Sequence, residues 1–235
     1  MLRIAKNLTK FLGRLYIERI NTEEFANQSF GRFNERPVEF GFVFRKLAEL
    51  YPRTVLDVGT GTTALPSLIR NCGCLVTATD NVRDYWPSGM TNRHYCVIDD
   101  DITATKLTRN FDLVTCVSVL EHITEPDAAV KNMISLLNPG GHLILTFPYS
   151  ETTYVRNVYE LPGSSYGRGL PYITQSYSRL DLDRWLASSG AKISDQEYWQ
   201  CWSGNHWTVG EQVIPPRKVS IRDRHQLTCV LIERG

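Results

Sequence analysis

The sequence carries almost no net charge: 26 Lys and Arg stand against 25 Asp and Glu, a balance of +1. No global field exists to hold a polyanion, and composition gives no reason to expect nucleic acid as a partner. Long apolar runs are missing too. Even Leu143–Phe147 is broken within a few positions by Gly, His and Pro, well short of the ~18–20 residues that cross a bilayer. No secretory signal is apparent, because Met1–Ile20 carries Arg3, Lys6, Lys10, Arg14 and Arg19 without an uninterrupted apolar segment. These absences point to a cytoplasmic chain with no transmembrane segment. Cysteine is sparse and scattered: Cys72, Cys74, Cys96, Cys116, Cys201 and Cys229 fall mostly in apolar runs and read as reduced core residues. Cys72-Gly73-Cys74 spells half a zinc site, but no second close pair of ligands completes it, so no metal is expected.

What is present is ordinary for a globular protein: 235 residues, 42% hydrophobic and 22% charged, enough for one α/β domain with insertions. Ile4, Leu8, Phe11, Leu12, Leu15 and Ile20 recur at helical steps and write one apolar stripe, with most basic residues off it. Such a helix either packs on the domain or lies on an anionic membrane surface. A second helix is expected over Pro37–Leu50, ending before Pro52. Residues 1–50 thus read as a helical cap on a single domain.

Strands and helices then alternate: Thr54–Val58, Leu75–Thr79, His94–Ile98, Phe111–Val117 and His142–Phe147 as strands, Ala64–Asn71 and Pro126–Leu137 as helices. That order means crossover connections and a parallel sheet covered on both faces. A long irregular stretch, 149–179, follows the fifth strand and reads as a lid. A helix over Leu180–Ser188 and strands at Lys192–Tyr198 and Leu227–Glu233 complete the chain, the last two bracketing a Trp- and Pro-rich segment.

The chemistry-bearing segment is Val55-Leu56-Asp57-Val58-Gly59-Thr60-Gly61-Thr62-Thr63-Ala64, a buried strand running through a glycine turn into a helix. Open α/β sheets bind ligands there, and the glycines let a ligand approach the backbone. Gly59-x-Gly61-x-x-Ala64 alone also satisfies the dinucleotide fingerprint, which keeps an NAD(P)-dependent oxidoreductase in view. Asp80 ends the second strand about twenty residues on, where a carboxylate accepts ribose hydroxyls. Asp99-Asp100-Asp101-Ile102 follows the third strand.

With Asp57 two residues before the first glycine, this spelling resembles motif I of the class I S-adenosylmethionine (SAM)-dependent methyltransferases. The fourth-strand segment Phe111–Ile123 and the run Leu136-Leu137-Asn138-Pro139-Gly140-Gly141-His142-Leu143 resemble later parts of the same family, in its small-molecule branch (type 11/12-like) with a Glu-His pair after strand four. Thr63 stands where many members have a third glycine. The resemblance implies a Rossmann-like, doubly wound, seven-stranded, mostly parallel sheet with the last strand antiparallel. It implies SAM as cofactor, with Asp57, Gly59, Thr60 and Gly61 at its methionine part, Asp80 and Asn81 at the ribose, Asp101 and Ile102 at the adenine (Asp100 as the alternative acid), and Ser118, Val119 and His122 completing the site.

Methyl transfer to oxygen also releases a proton, and His122 is the candidate general base, since imidazole titrates near neutrality; the alternative is that it holds the cofactor or shapes the loop. Glu39 is placed to close over the cofactor. Tyr149, Tyr154, Arg156, Tyr166 and Arg168 in the lid segment are the candidate acceptor residues, because tyrosines stack on rings and arginines pair with anions. They suit a small polar acceptor, such as a sugar or glycolipid, methylated on oxygen. A hydrolase is the remaining rival on Gly163-Ser164-Ser165-Tyr166-Gly167, which lacks the strand and helix that frame a nucleophile elbow. A SAM-binding module without turnover is a further alternative; oligomeric state is not legible.

Overall fold

The computed structural model describes residues 2–28, 34–86, 89–187 and 189–235. The chain falls into two compact units, Met1–Asn34 and Glu35–Gly235. The first unit is one helix, α1 (Leu2–Ala26), which runs beyond the Ile20 end expected from the apolar stripe; Met1 lies outside the described residues.

In the second unit, α2 (Arg36–Leu50) begins with Pro37 in its first turn, where a missing N–H costs nothing, and ends on Tyr51 in a left-handed cap just before Pro52. The strands are β1 (Thr54–Val58), β2 (Leu75–Asp80), β3 (Val97–Asp99), β4 (Phe111–Val117), β5 (Leu137–Pro148), β6 (Lys192–Trp202), β7 (Gln212–Val219) and β8 (Leu227–Glu233). They form one sheet in the order β3-β2-β1-β4-β5-β8-β6-β7. β1 to β5 are mutually parallel; β8 is antiparallel to both β5 and β6, and β7 is antiparallel to β6.

Helices cover both faces. Val55, Leu113 and Ile144 face α2 and α3 (Leu65–Asn71) through Phe42, Val43, Leu47 and Ile69. Leu56, Val114, Leu143 and Leu145 face α4 (Pro126–Ser135) and α5 (Arg179–Ala187) through Val130, Met133, Leu182 and Trp185. Fully burying one such Leu or Phe contributes about 1.5–3 kcal/mol, so the central strands must be apolar on both sides.

The sheet has eight strands, not seven. The additional one, β7, holds Pro215 and Pro216, which argue against a central strand; at the edge of a sheet the lost N–H faces no partner. β3 is shorter than the expected His94–Ile98, and Asn81–Cys96 joins it to β2 without a helix among the described residues. Pro139-Gly140-Gly141 does not lead into β5 as a turn but lies inside it, where pairing slips from Phe111↔Leu137 to Leu113↔His142. α4 accordingly stops at Ser135 instead of Leu137. The helix expected over Leu180–Ser188 is described over Arg179–Ala187, and Ser188 lies outside the described residues.

Candidate active site

The carboxyl ends of β1, β2 and β4 meet beside the point where strand order reverses around β1, the usual crevice of such sheets. The turn after β1 has Gly59 at φ +70° and Gly61 at φ +55°, a conformation that strains other residues. Gly59 and Thr60 donate their N–H groups to Thr79 O at 2.9 and 3.1 Å, tying the turn to β2. A Cβ added at Gly59 would stand 2.3 Å from Cγ1 of Val119, so the loop after β4 lies directly on the turn.

Asp57 is buried at the base of this turn, its two carboxylate oxygens accepting from Thr60 Oγ1 at 2.6 Å and Thr115 Oγ1 at 2.7 Å. Burial pushes its carboxyl up to about 6, against the lowering effect of both hydroxyls. Asp80 accepts from Gly61 N at 2.7 Å and from Trp86 Nε1 at 2.8 Å. The Trp86 ring flanks Gly61, 3.6 Å from where a Cβ would stand. Trp86 was not expected here; nothing in a Pro- and Gly-flanked loop signals which side chain folds back. Asn81 caps its own turn, accepting from Asp84 N.

Of the three aspartates after β3, Asp101 accepts from the N–H and hydroxyl of Thr103, while Asp100 accepts from Thr105 Oγ1 and Lys106 N. The Ile102 side chain is buried in the core with α4, so its expected place at a ring face is corrected, and its carbonyl accepts from Asn132 Nδ2 at 2.8 Å.

Ser118 has φ +50° and is held there by Glu39, whose Oε1 accepts from Ser118 Oγ at 2.6 Å and Thr146 Oγ1 at 2.7 Å. Arg36 donates to Glu39 Oε2 at 3.0 Å and to Val117 O at 3.3 Å. Glu39 is 0% exposed; it braces the ends of β4 and β5 instead of closing over a ligand.

His122 sits with Nδ1 2.8 Å from Ile173 O and its ring edge-on to Tyr172 at 4.9 Å. A carbonyl accepts only, so Nδ1 carries the hydrogen and Nε2 keeps its lone pair. Burial holds the imidazole below the ordinary histidine range, despite the opposing bond to Ile173. Beside it, Glu121 is buried, with Oε1 4.0 Å from His122 Nε2 and Oε2 without a hydrogen-bond partner. Burial, reinforced by Glu39, pushes the Glu121 carboxyl up to about 8.

The native chain therefore keeps a proton on Glu121 that the unfolded chain releases, and stability falls as pH rises from 4.5 towards 8. Glu121→Gln is expected to remove this fall, with a gain on the order of 3 kcal/mol at pH 8 and little at pH 5. Thermal melting at both pH values checks it. A variant no more stable than the parent at pH 8 would contradict the neutral-acid assignment.

The candidate acceptor residues are separated by the fold. Tyr149 is corrected to a core residue: it is fully buried, packs against Phe147, Tyr198 and His225, and donates its hydroxyl to Glu151. Tyr154 lines a groove of about 420 Å³ with Gln175, Asp127 and Arg184. Arg168 lines another, of about 360 Å³, with Tyr159, Glu160 and Tyr172, and Tyr172 connects this one to His122. Exposed Tyr166 packs edge-on against Tyr159; Arg156 is exposed. The 149–179 segment is fastened by Gln175 N to Glu121 O and Tyr177 Oη to Leu120 O.

Ser165 donates its hydroxyl to Thr208 O in an irregular loop, which leaves it without the setting of a nucleophile. Among the described residues no cluster of His, Cys, Asp or Glu forms a metal site, and no helix is long and apolar enough to cross a membrane. Asp57 and Asp80 make the crevice acidic, which suits an ammonium and sugar hydroxyls and opposes a diphosphate.

Comparison with known proteins agrees. The model of a methyltransferase domain family matches residues 30–196. A ubiquinone biosynthesis O-methyltransferase from Xanthomonas euvesicatoria pv. vesicatoria is 31% identical over 172 residues, covering 68% of this chain and 70% of the relative. The enzyme of the same name from Coxiella burnetii (strain Dugway 5J108-111) is 28% identical over 171 residues, covering 68% and 71%. Among solved structures, the Burkholderia thailandensis 1,6-didemethyltoxoflavin-N1-methyltransferase, with bound 1,6-didemethyltoxoflavin and S-adenosylhomocysteine, has a TM-score of 0.55 at 16% identity, covering 97% of this chain and 86% of that one. The solved structure shares the fold described above, and the chain belongs to the methyltransferase domain family.

Proposed function

We propose that this chain uses SAM to methylate an oxygen of a small polar acceptor, with sugars, glycolipids and related metabolites as the class to test first. The observation that carries the reading is the acidic crevice over the glycine turn, with His122 at its rim and a lone pair on Nε2. When bound, the cofactor supplies an electrophilic methyl on a sulfonium, whose displacement leaves a neutral thioether. Asp57 would face the ammonium, Asp80 and Asn81 the ribose, and Asp101 with the Ile102 backbone the adenine. His122 Nε2 would take the proton of the acceptor hydroxyl. The tyrosine-lined groove carrying Arg168 supports an acceptor with a ring and an anionic or strongly polar group. The names of the curated relatives support oxygen as the accepting atom.

Calorimetry with S-adenosylhomocysteine and with NADH, followed by a methyl-transfer screen over hydroxylated acceptors, tests the reading. Binding of the demethylated cofactor alone, with methylation of at least one acceptor, is expected. Binding of NADH in its place would sink it, and cofactor binding without turnover across the screen would favour a non-catalytic module.

A further inference from the structure

The helix α1 lies outside the segment that matches the methyltransferase domain family, residues 30–196, so family membership assigns it no task. Its first four turns segregate two kinds of side chain. Ile4, Leu8, Phe11, Leu12 and Leu15 recur at three- and four-residue steps and are 47–74% exposed. Arg3, Lys6, Lys10 and Arg14 recur at the same steps on the other side. No acid appears before Glu18.

The acids that follow compensate Arg14 alone of these four cations. Glu18 is held by Arg14 at 2.6 Å and Glu23 by Arg19 at 3.0 Å, both within the helix. Arg3, Lys6 and Lys10 have no acidic partner among the described residues. A second copy of α1 would cover the apolar stripe but bring only acids that are already paired, leaving the positive charge uncompensated. A surface rich in phosphate answers both halves of the pattern, since it takes apolar side chains into its acyl boundary and offers anions to the flanking cations. The helix is not apolar enough to span a bilayer.

We infer that α1 docks the protein flat on an anionic phospholipid surface, with Ile4, Leu8, Phe11, Leu12 and Leu15 in the bilayer interface and Arg3, Lys6 and Lys10 on the headgroups. The inference does not depend on which acceptor the enzyme methylates. The apolar stripe is about 17 Å long at 1.5 Å per residue, which suits reversible attachment. Each basic residue near such a surface contributes about fivefold in partitioning, so the attachment depends on salt and on anionic lipid.

Cosedimentation of the full chain with vesicles of phosphatidylcholine, alone or mixed with phosphatidylglycerol, tests this. Binding to the mixed vesicles only, reversed by high salt, is expected. Lys6→Glu with Lys10→Glu should lower that binding tenfold or more, as should Phe11→Asp, while S-adenosylhomocysteine binding by calorimetry stays as in the parent. Equal binding to both vesicles overturns the proposal, and so does absence of binding to either. Light scattering that shows a dimer dissolved by Phe11→Asp, without vesicle binding, would assign the stripe to a second copy instead.

Discussion

Replacing Asp80 with alanine is expected to weaken S-adenosylhomocysteine binding by a hundredfold or more while leaving the chain folded. Asp80 is 8% exposed, and its two oxygens are aimed by Gly61 N and Trp86 Nε1. Ribose hydroxyls arriving on the remaining lone pairs would form two charge-assisted hydrogen bonds, each worth about 1.5–3 kcal/mol. The alanine loses both and frees two N–H donors, so the turn that carries Gly61 loosens as well. Asp80→Asn separates the two effects, because its amide carbonyl still accepts one bond while its NH2 opposes a donor; its affinity should lie between parent and alanine. Calorimetry on all three proteins decides. An alanine variant within threefold of the parent would remove Asp80 from the ribose and leave it as a brace for the turn.

The same residue shows how far local pattern reaches. Strand, glycine turn and helix are neighbours in the chain, so the change from a continuous apolar run to Gly59 and Gly61 already marks the crevice, and Asp80 is a strand end that any parallel arrangement brings alongside. Trp86 reaches Asp80 by folding back through an irregular loop, which no periodicity encodes. Glu39 reads from the sequence as an acid that closes over the cofactor, and its bracing role is not legible because its partners, Ser118 and Thr146, are 79 and 107 residues away. Tyr149 and Tyr177 read as lid residues because both fall in the irregular 149–179 stretch after the fifth strand. Each is buried because its hydroxyl finds an acceptor, Glu151 Oε1 for one and Leu120 O for the other, leaving the ring free to serve as core. Prolines hid β7, since their meaning depends on whether a strand lies at an edge, and that is a property of the whole sheet.

His122→Ala is expected to lower kcat by about 10²- to 10⁴-fold with S-adenosylhomocysteine affinity within threefold of the parent. The size follows from the role: with a neutral thioether leaving, the proton is the remaining charge to be moved, and Nε2 is the lone pair that the Nδ1 bond to Ile173 O leaves available. The pH profile carries the sign. Because burial holds the imidazole below the ordinary 6.5, the rate should rise as His122 loses its proton and reach its plateau at a lower pH than a free imidazole would give. In the alanine variant that limb should vanish, with the residual rate following hydroxide. His122→Asn is the sharper variant, since its amide N–H can still donate to Ile173 O and keep the loop in place without supplying a base. If the asparagine enzyme is as slow as the alanine enzyme, and added imidazole restores turnover, the lone pair is what the reaction needs. If asparagine restores the parent rate, His122 only positions the loop, and the acceptor loses its proton to solvent.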